Sequence, residues 1–275
     1  MQDAAIARST PQVVDATDWL KTLAIIATAV GHIGYFFVDN DDWYSVIGRL
    51  AAPILFFFLG YAQTRAVPLY WIWLGVILTV LDSWNDDWSW VAPNILLSFA
   101  LIRIARPYVQ ILLERHGWAA FAVLVGVLVA VLPVAVKIVD YGAEGWLWAL
   151  FGLCQRRYLD GRSAVVAGAP SQSAHETTQT ASLMRLMAGV IAAVVYVWQE
   201  QKEFSFPQVH LAVFVVITAA ASISLCWFRR GPSRIQPPEM MGGVLRFIGR
   251  HTLEIYAVQL AASELIVKLV PDLAP

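Results

Sequence analysis

The sequence predicts an all-α, polytopic membrane helical bundle with about nine transmembrane helices. Apolar residues make up 59% of the 275-residue chain and charged residues only 14%, a balance that is typical of integral membrane proteins. Long apolar stretches recur along the chain, and the charges between them alternate in sign. We therefore predict a single integral membrane domain over residues 1–275.

Each predicted membrane segment is an apolar stretch that approaches or exceeds the roughly 20 residues needed to cross a bilayer. Pro68 suits the first helical turn of the third segment. The sixth segment is the weakest and can also be read as re-entrant. In order, the segments are 17–38, 46–64, 67–82, 90–106, 117–137, 144–160, 183–199, 207–228 and 243–270.

The charges between these segments predict the orientation of the chain, because Lys and Arg crowd the cytoplasmic loops of membrane proteins. Basic residues follow the second, fourth, sixth and eighth segments, whereas the intervening loops are acidic. This alternation favours nine crossings, a cytoplasmic N-terminus and an external C-terminus. Residues 1–16 are then a cytoplasmic tail, and 161–182 and 229–242 are cytoplasmic loops.

Composition also bears on partners and cofactors. The formal net charge of −1 argues against nucleic acid as a partner. Cys154 and Cys226 are too few for a disulfide framework and are spaced unlike a metal site, so we expect no metal. The N-terminal residues lack the pattern of a cleaved signal peptide, and we expect the first transmembrane helix to direct insertion.

The first segment carries polar residues on one face of a helix. Ionisable side chains inside a membrane are costly and usually face a protein interior or a water-filled cavity. His32 is therefore a candidate catalytic residue. The alternative is that it only ties helices together by donating to a carbonyl group. The face follows from steps of three and four residues between Asp18, Lys21, Ile25, Thr28, His32 and Tyr35.

Arg49 breaks the charge pattern, because it lies at the outer start of the second segment, where the positive-inside rule predicts no arginine. One explanation is an ion pair with Asp39, Asp41 or Asp82. The other is a site that holds an anion or stabilises an oxyanion. Both interpretations stay open at this point.

Asn94 and Asp82 are predicted at the same outer depth as Arg49 and His32. Asn94 opens the fourth segment, where it either donates to a carbonyl oxygen or caps the helix. Asp82 ends the third segment. These side chains come from four different helices, and they can converge on one outer cavity.

Several basic residues are predicted at the cytoplasmic ends of helices. They either serve topology alone or bind phosphate groups. Lys21 lies on the polar face of the first segment, close to the cytoplasmic side. The arginines placed for phosphate binding are Arg65, Arg103 and Arg250.

Three stretches, DWLKTLAIIATAVGHIGYFF, IGRLAAPILFFFLGYAQTR and APNILLSFALIR, resemble in order the first, second and fourth helices of the TraX family. Members of that family are multi-pass membrane proteins associated with N-acetylation of pilin. The Lys21-to-His32 separation also resembles the first-helix motif of the broader acyltransferase-3 superfamily, and IGRHTLEIYAVQL resembles its closing helix.

The resemblance implies an acyltransferase of the bacterial cytoplasmic (inner) membrane. It would move an acetyl or other acyl group from cytoplasmic acetyl-CoA, its co-substrate, to an amine or hydroxyl near the outer face. A protein or glycan acceptor, a lipid, and a partner within a membrane complex are all compatible with it. The catalytic group would be His32, Arg49, Asn94 and Asp82, and the cofactor-binding group Lys21, Arg65, Arg103 and Arg250.

Two positions depart from the family pattern. Gly31 stands where an acidic residue usually precedes the histidine, so Thr28 or Asp82 would have to orient the imidazole. Gln259 stands where the closing helix often ends in histidine. Two other functions therefore stay open, namely a transporter of protons or a small solute, and a non-catalytic membrane subunit of a larger complex.

Overall fold

The computed structural model describes residues 13–38, 41–64, 66–88, 91–166 and 172–270. Over these residues the regular structure is helical, apart from an isolated β-bridge between Asp15 and Pro232, and the all-α prediction is confirmed. The helices are α1 (Ala16–Phe37), α2 (Asp42–Gly48), α3 (Ala51–Tyr61), α4 (Leu69–Asn85), α5 (Ile95–Ile138), α6 (Gly142–Val166), α7 (Gln172–Phe204), α8 (Gln208–Trp227), α9 (Glu239–Arg250) and α10 (Thr252–Leu269).

Five stretches within the described residues are long and apolar enough to cross a membrane. Their outward-facing side chains include exposed apolar residues such as Ile26, Val123 and Val216, which suits contact with lipid tails. The chain is therefore a helical membrane protein. The five stretches are Ala16–Phe37, Asp42–Tyr61, Ile95–Ala135, Thr178–Phe204 and Gln208–Trp227.

Helix α5 folds back on itself at Gly117. Its 44 residues would extend about 66 Å if straight, yet the residues that flank its two ends are in contact. The Asp140 amide donates to the Pro93 carbonyl at 3.1 Å. Gly117 has φ 50° and ψ −123°, a conformation that glycine adopts readily. The two limbs of α5 correspond to the predicted segments 90–106 and 117–137.

Helix α3 is the centre of the bundle, and all 11 of its residues are buried. It lies against α6 so closely that a Cβ atom on Gly60 would clash with the Ala149 carbonyl, and one on Gly152 with the Phe57 carbonyl. Small residues permit such close approach of helices in membranes. This packing holds α3 in place between the two cavities described below.

Most of the predicted loop 161–182 is helical. Helix α6 continues to Val166 and α7 begins at Gln172, while residues 167–171 lie outside the described residues. The two extensions pack together, since a Cβ on Gly161 would lie 3.0 Å from Thr178 Oγ1. Composition alone favoured a loop here, and the packing of one helix on the other outweighs it.

The last predicted segment, 243–270, is divided into two helices at His251. Helix α9 is held against the start of α1, because Lys21 Nζ donates to the Gly249 carbonyl at 3.1 Å. Its opposite face exposes Met240, Val244 and Phe247. Such a short amphipathic helix is suited to the membrane interface, and α10 is the longer of the two helices in this segment.

Candidate functional site

One cavity of about 320 Å³ lies where α1, the α2–α3 junction, α4, the start of α5 and α10 meet. His32, Arg49, Asp82 and Asn94 all line it. The structure therefore brings together the four residues that the sequence assigned to an outer site. We call this space the His32 cavity.

The imidazole of His32 is held by aromatic packing rather than by a carboxylate. Its ring centre lies 5.7 Å from that of Tyr256 and 6.1 Å from that of Phe36. Its Nδ1 atom is buried and has no hydrogen-bond partner among the described residues. Buried polar atoms are nearly always paired, so an unpaired one in a cavity is notable. His32 thus retains hydrogen-bonding capacity for a ligand.

Thr28 does not donate to His32. The Thr28 hydroxyl donates to the Ala24 carbonyl at 2.9 Å, one turn earlier on the same helix. The Thr28 hydroxyl proton is thus engaged within α1, and the orienting role expected of Thr28 or Asp82 stays a prediction. The backbone carbonyl is the nearer acceptor for a helical threonine. Asp82, the other candidate, lines the cavity.

The glycine at position 31 has a packing role. A Cβ atom on Gly31 would lie 2.9 Å from Gly48 Cα, and one on Gly48 would lie 2.6 Å from Gly31 Cα. Real side chains essentially never approach so closely, so both positions require glycine at this backbone separation. The contact brings Arg49, the residue after Gly48, to the same level as His32. It also leaves no room for the acidic side chain that the family pattern has before the histidine.

Arg49 forms its ion pairs with α7, and the predicted pairing with Asp41 or Asp82 is wrong; Asp39 lies outside the described residues. Its Nε lies 3.2 Å from Glu200 Oε2 and its Nη2 3.8 Å from Glu203 Oε1. The fold explains this pairing, because α7 ends beside the α2–α3 junction. Arg49 and Glu200 are far apart in the sequence, so their contact could not be predicted from it.

Further contacts fix the Arg49 side chain at the cavity wall. Nη1 donates to the Tyr141 hydroxyl at 3.1 Å, and the guanidinium lies 4.2 Å from the centre of the Phe204 ring. The Tyr196 hydroxyl donates to the Arg49 carbonyl at 2.7 Å. Arg49 is therefore a fixed, partly exposed cation facing the His32 cavity.

Asp140 adds a carboxyl group to the same cavity. Burial raises the pKa of Asp140 from its ordinary value of 3.8 to about 6, while the positive charge of Arg49 opposes that rise. A carboxyl group with such a pKa exchanges its proton near neutral pH, as groups in functional sites often do. In the sequence, Asp140 belongs to one of the acidic loops between predicted segments, and that position alone does not indicate a site.

Asn94 acts as the N-cap of α5, one of the two roles left open. Its Oδ1 accepts from the Leu96 amide at 3.1 Å. Its Nδ2 lies 3.4 Å from the Tyr256 hydroxyl, and this contact places Tyr256 between Asn94 and His32. Tyr256 is thus a cavity residue that sequence reasoning missed. A tyrosine within an apolar segment carries no signal that distinguishes it from a core residue.

A second cavity of about 320 Å³ lies at the opposite ends of α1, α4 and α10, and we call it the Lys21 cavity. It is strongly cationic, and Glu254 is the one carboxylate in its lining among the described residues. Lys21, Arg103 and Arg250 line it as the sequence analysis grouped them, whereas Arg65 lies outside the described residues. Its basic residues are Lys21, Arg103, Arg156, Arg230 and Arg250.

Arg103 is set into the wall of the Lys21 cavity. Its Nη1 donates to the Ala66 carbonyl at 3.0 Å, and its guanidinium lies 4.5 Å from the centre of the Trp71 ring. Its Nε atom is buried without a hydrogen-bond partner in the described part of the chain. Arg103 therefore keeps a donor available beside the other cations. Arg156 and Arg230 belong to the basic residues at the ends of the sixth and eighth predicted segments, which indicate topology.

The two cavities are neighbours along the axis of the bundle. The buried side chain of Leu55, in α3, lines both of them. Lys21 and His32 are 11 residues apart on α1, which corresponds to about 16 Å along the helix axis. One helix face thus connects a cationic cavity with a histidine-containing one, and Leu55 lies between them.

Comparison with known protein families gives a match over most of the chain. The sequence model of the TraX protein family matches residues 16–219, which include His32, Arg49, Asp82 and Asn94. The protein RP591 of Rickettsia prowazekii (strain Madrid E), described as uncharacterized, is 29% identical over 130 residues, which is 46% of this chain and 50% of that protein. The chain thus spans about half the length of that relative. No solved structure matches. The family match covers most of the helical bundle, and this protein belongs to the TraX family.

Proposed function

We propose that this protein is a membrane-embedded acyltransferase that belongs with the broader acyltransferase-3-like enzymes. It moves an acetyl or other acyl group from cytoplasmic acyl-CoA to an amine or hydroxyl near the outer membrane face. The observation that carries the proposal is the pair of cavities that meet at Leu55. One cavity suits the phosphates of the donor, and the other suits acyl transfer.

The donor would bind in the Lys21 cavity. Coenzyme A carries several phosphate groups, and arginine binds phosphate through parallel, charge-assisted hydrogen bonds. Five basic side chains and one carboxylate line the described part of that cavity. The thioester end of the donor would extend past Leu55 toward His32 along the polar face of α1.

At His32 the imidazole would act as general base. It takes a proton from the acceptor amine or hydroxyl as that group attacks the thioester carbonyl carbon. The tetrahedral oxyanion forms beside Arg49, whose fixed positive charge stabilises it. The C–S bond then breaks, the acyl group stays on the acceptor, and His32 returns the proton to the departing thiolate. Asp140 lines the same cavity, so its carboxyl group influences how readily His32 takes up and releases this proton.

We propose nine crossings, with the N-terminus in the cytoplasm, the C-terminus outside, and the bacterial inner membrane as the location. Two features support this topology. The basic loops flank the Lys21 cavity, and the reversal at Gly117 turns α5 into two antiparallel limbs. Helix α10 begins beside the Lys21 cavity at Thr252 and reaches the His32 cavity at Glu264.

A cysteine accessibility experiment tests the proposed topology. In a variant in which Cys154 and Cys226 are replaced by serine, a cysteine at Val270 should react with a membrane-impermeant maleimide from outside intact cells. A cysteine at exposed Ile235, in the loop before α9, should react only after the cells are opened. Labelling in the reverse order would overturn the orientation.

Acyl-CoA binding tests the donor site. We expect acetyl-CoA to bind the purified protein, and Arg103→Ala and Lys21→Ala each to weaken the Kd about tenfold, because a lost charge-assisted hydrogen bond costs about 1.5–3 kcal/mol. Calorimetry measures both values. Arg115→Ala is the control, since Arg115 is exposed near the turn of α5 and does not line the cavity. Equal binding by all variants would contradict the donor site.

The continuity of the two cavities also fits a transporter of protons or a small solute, the alternative function. Flux into vesicles in the absence of acyl-CoA would favour this alternative. Acyl transfer without such flux would exclude it as the main activity. A non-catalytic subunit would neither bind acyl-CoA nor move a solute, and it would copurify with a stoichiometric membrane partner.

A further inference from the structure

A polar pocket of about 220 Å³ lies beside the Lys21 cavity, between the first limb of α5 and α6. Among the described residues, Arg106, Arg156 and Arg157 line it together with a single carboxylate, Asp160. Asp160 already pairs with Arg156 at 2.9 Å. The lining therefore carries three positive charges against one negative charge, and its charge complements an anion.

Arg157 strengthens that conclusion. Its Nη1 atom is buried and has no hydrogen-bond partner within the described residues. A buried, charged donor that is left unpaired is costly, and an anionic group in the pocket would remove this cost. Arg106 is also held in position, because its Nε donates to the Gly60 carbonyl at 2.8 Å.

An apolar groove of about 150 Å³ continues from this polar pocket. Arg106 and Leu153 line both spaces. From there the groove runs between the two limbs of α5 and along α6, where the other lining side chains include Leu128, Val127 and Trp146. Val127 is 54% exposed on the outer surface of the bundle, so the groove opens toward lipid. A phosphate site and an apolar groove that joins it together match the shape and charge of a phospholipid.

We propose that the polar pocket and this groove bind one anionic phospholipid of the cytoplasmic leaflet. Its phosphate contacts Arg106, Arg156 and Arg157, and one acyl chain lies in the groove. Basic pockets between helices on the cytoplasmic side are typical sites for anionic lipid head groups. The cytoplasmic placement rests on the proposed topology, but the site does not depend on acyl transfer. Arg156 lines both this pocket and the Lys21 cavity, so the lipid would lie directly beside the donor site.

Native mass spectrometry of the purified full chain tests the proposal, with phosphatidylglycerol and phosphatidylcholine of identical acyl chains as probes. We expect at least a tenfold preference for phosphatidylglycerol. Arg157→Gln should reduce its binding about fivefold, the effect of one basic residue on an anionic lipid. Arg115→Gln, outside the pocket, should leave binding unchanged. Equal binding of the two lipids, or equal effects of the two variants, would overturn the proposal.

Two further arms distinguish a lipid from other phosphate ligands. Val127→Trp fills the groove and should weaken phosphatidylglycerol binding while a melting curve verifies that the fold is intact. Glycerophosphoglycerol, which has the head group without acyl chains, should not displace the lipid at equal concentration. Displacement by it would mean that the pocket binds a soluble phosphate compound and would overturn the lipid assignment. A failure of the acyl-CoA experiment would leave these results unaffected.

Discussion

Replacing His32 with alanine should abolish acyl transfer while leaving acyl-CoA binding intact. The imidazole is the one titratable nitrogen base that lines the described part of the His32 cavity, and loss of a general base typically costs about 10²- to 10⁴-fold in rate. Lys21, in the cavity where the donor would bind, is about 16 Å from His32 along α1. Release of free thiol from acetyl-CoA, with native membranes as the source of acceptor, measures the rate, and calorimetry measures binding.

Two variants control this experiment. His32→Gln keeps much of the side-chain volume against Tyr256 and Phe36, and it should be as inactive as His32→Ala if proton transfer matters rather than packing. His116→Ala removes an exposed histidine beside the turn of α5 and should have full activity. Transfer that survives in both His32 variants would rule out the proposed role of His32.

Arg49→Ala should destabilise the protein severely, because it leaves Glu200 as an uncompensated charge that is 0% exposed. Breaking one partner of a buried ion pair typically costs about 3–5 kcal/mol in the free energy of unfolding. For a chain of this size that corresponds to a fall in Tm on the order of 10 °C. Thermal unfolding in detergent, followed by tryptophan fluorescence, measures the change.

The double variant Arg49→Ala/Glu200→Gln is the informative comparison. A neutral amide needs no counter-charge, so we expect the double variant to recover a large part of the lost stability. Arg234→Ala removes an exposed cation from the loop before α9 and should leave Tm unchanged. A Tm for Arg49→Ala equal to that of the parent protein, or no recovery in the double variant, would show that the ion pair does not stabilise the fold.

Much of the candidate site could be predicted because helices impose a fixed geometry. Steps of three and four residues place Lys21, Thr28 and His32 on one face of α1 wherever the helix lies. In the structure, Lys21 faces one cavity, and Thr28 and His32 face the other. The depth of Arg49, Asp82 and Asn94 followed in the same way, since each lies at the end of an apolar stretch.

The partners of these residues could not be predicted, because they depend on which helices become neighbours. Arg49 pairs with Glu200 rather than with an aspartate that is nearer in sequence. Tyr256 lies against His32 only because α10 packs on α1. The division of the last segment at His251 likewise follows from the contact between α9 and the start of α1.

The membrane class of this protein, its all-α structure and the polar face of α1 can be predicted from composition and helical periodicity. Composition and helical periodicity are local properties, and they act before any tertiary contact exists. Helix packing, by contrast, places the polar residues around two cavities on either side of Leu55, and it brings three arginines into a pocket that adjoins an apolar groove. Those arrangements depend on close approaches such as Gly31 to Gly48, where the absence of a side chain on one helix matters only once the other helix is beside it.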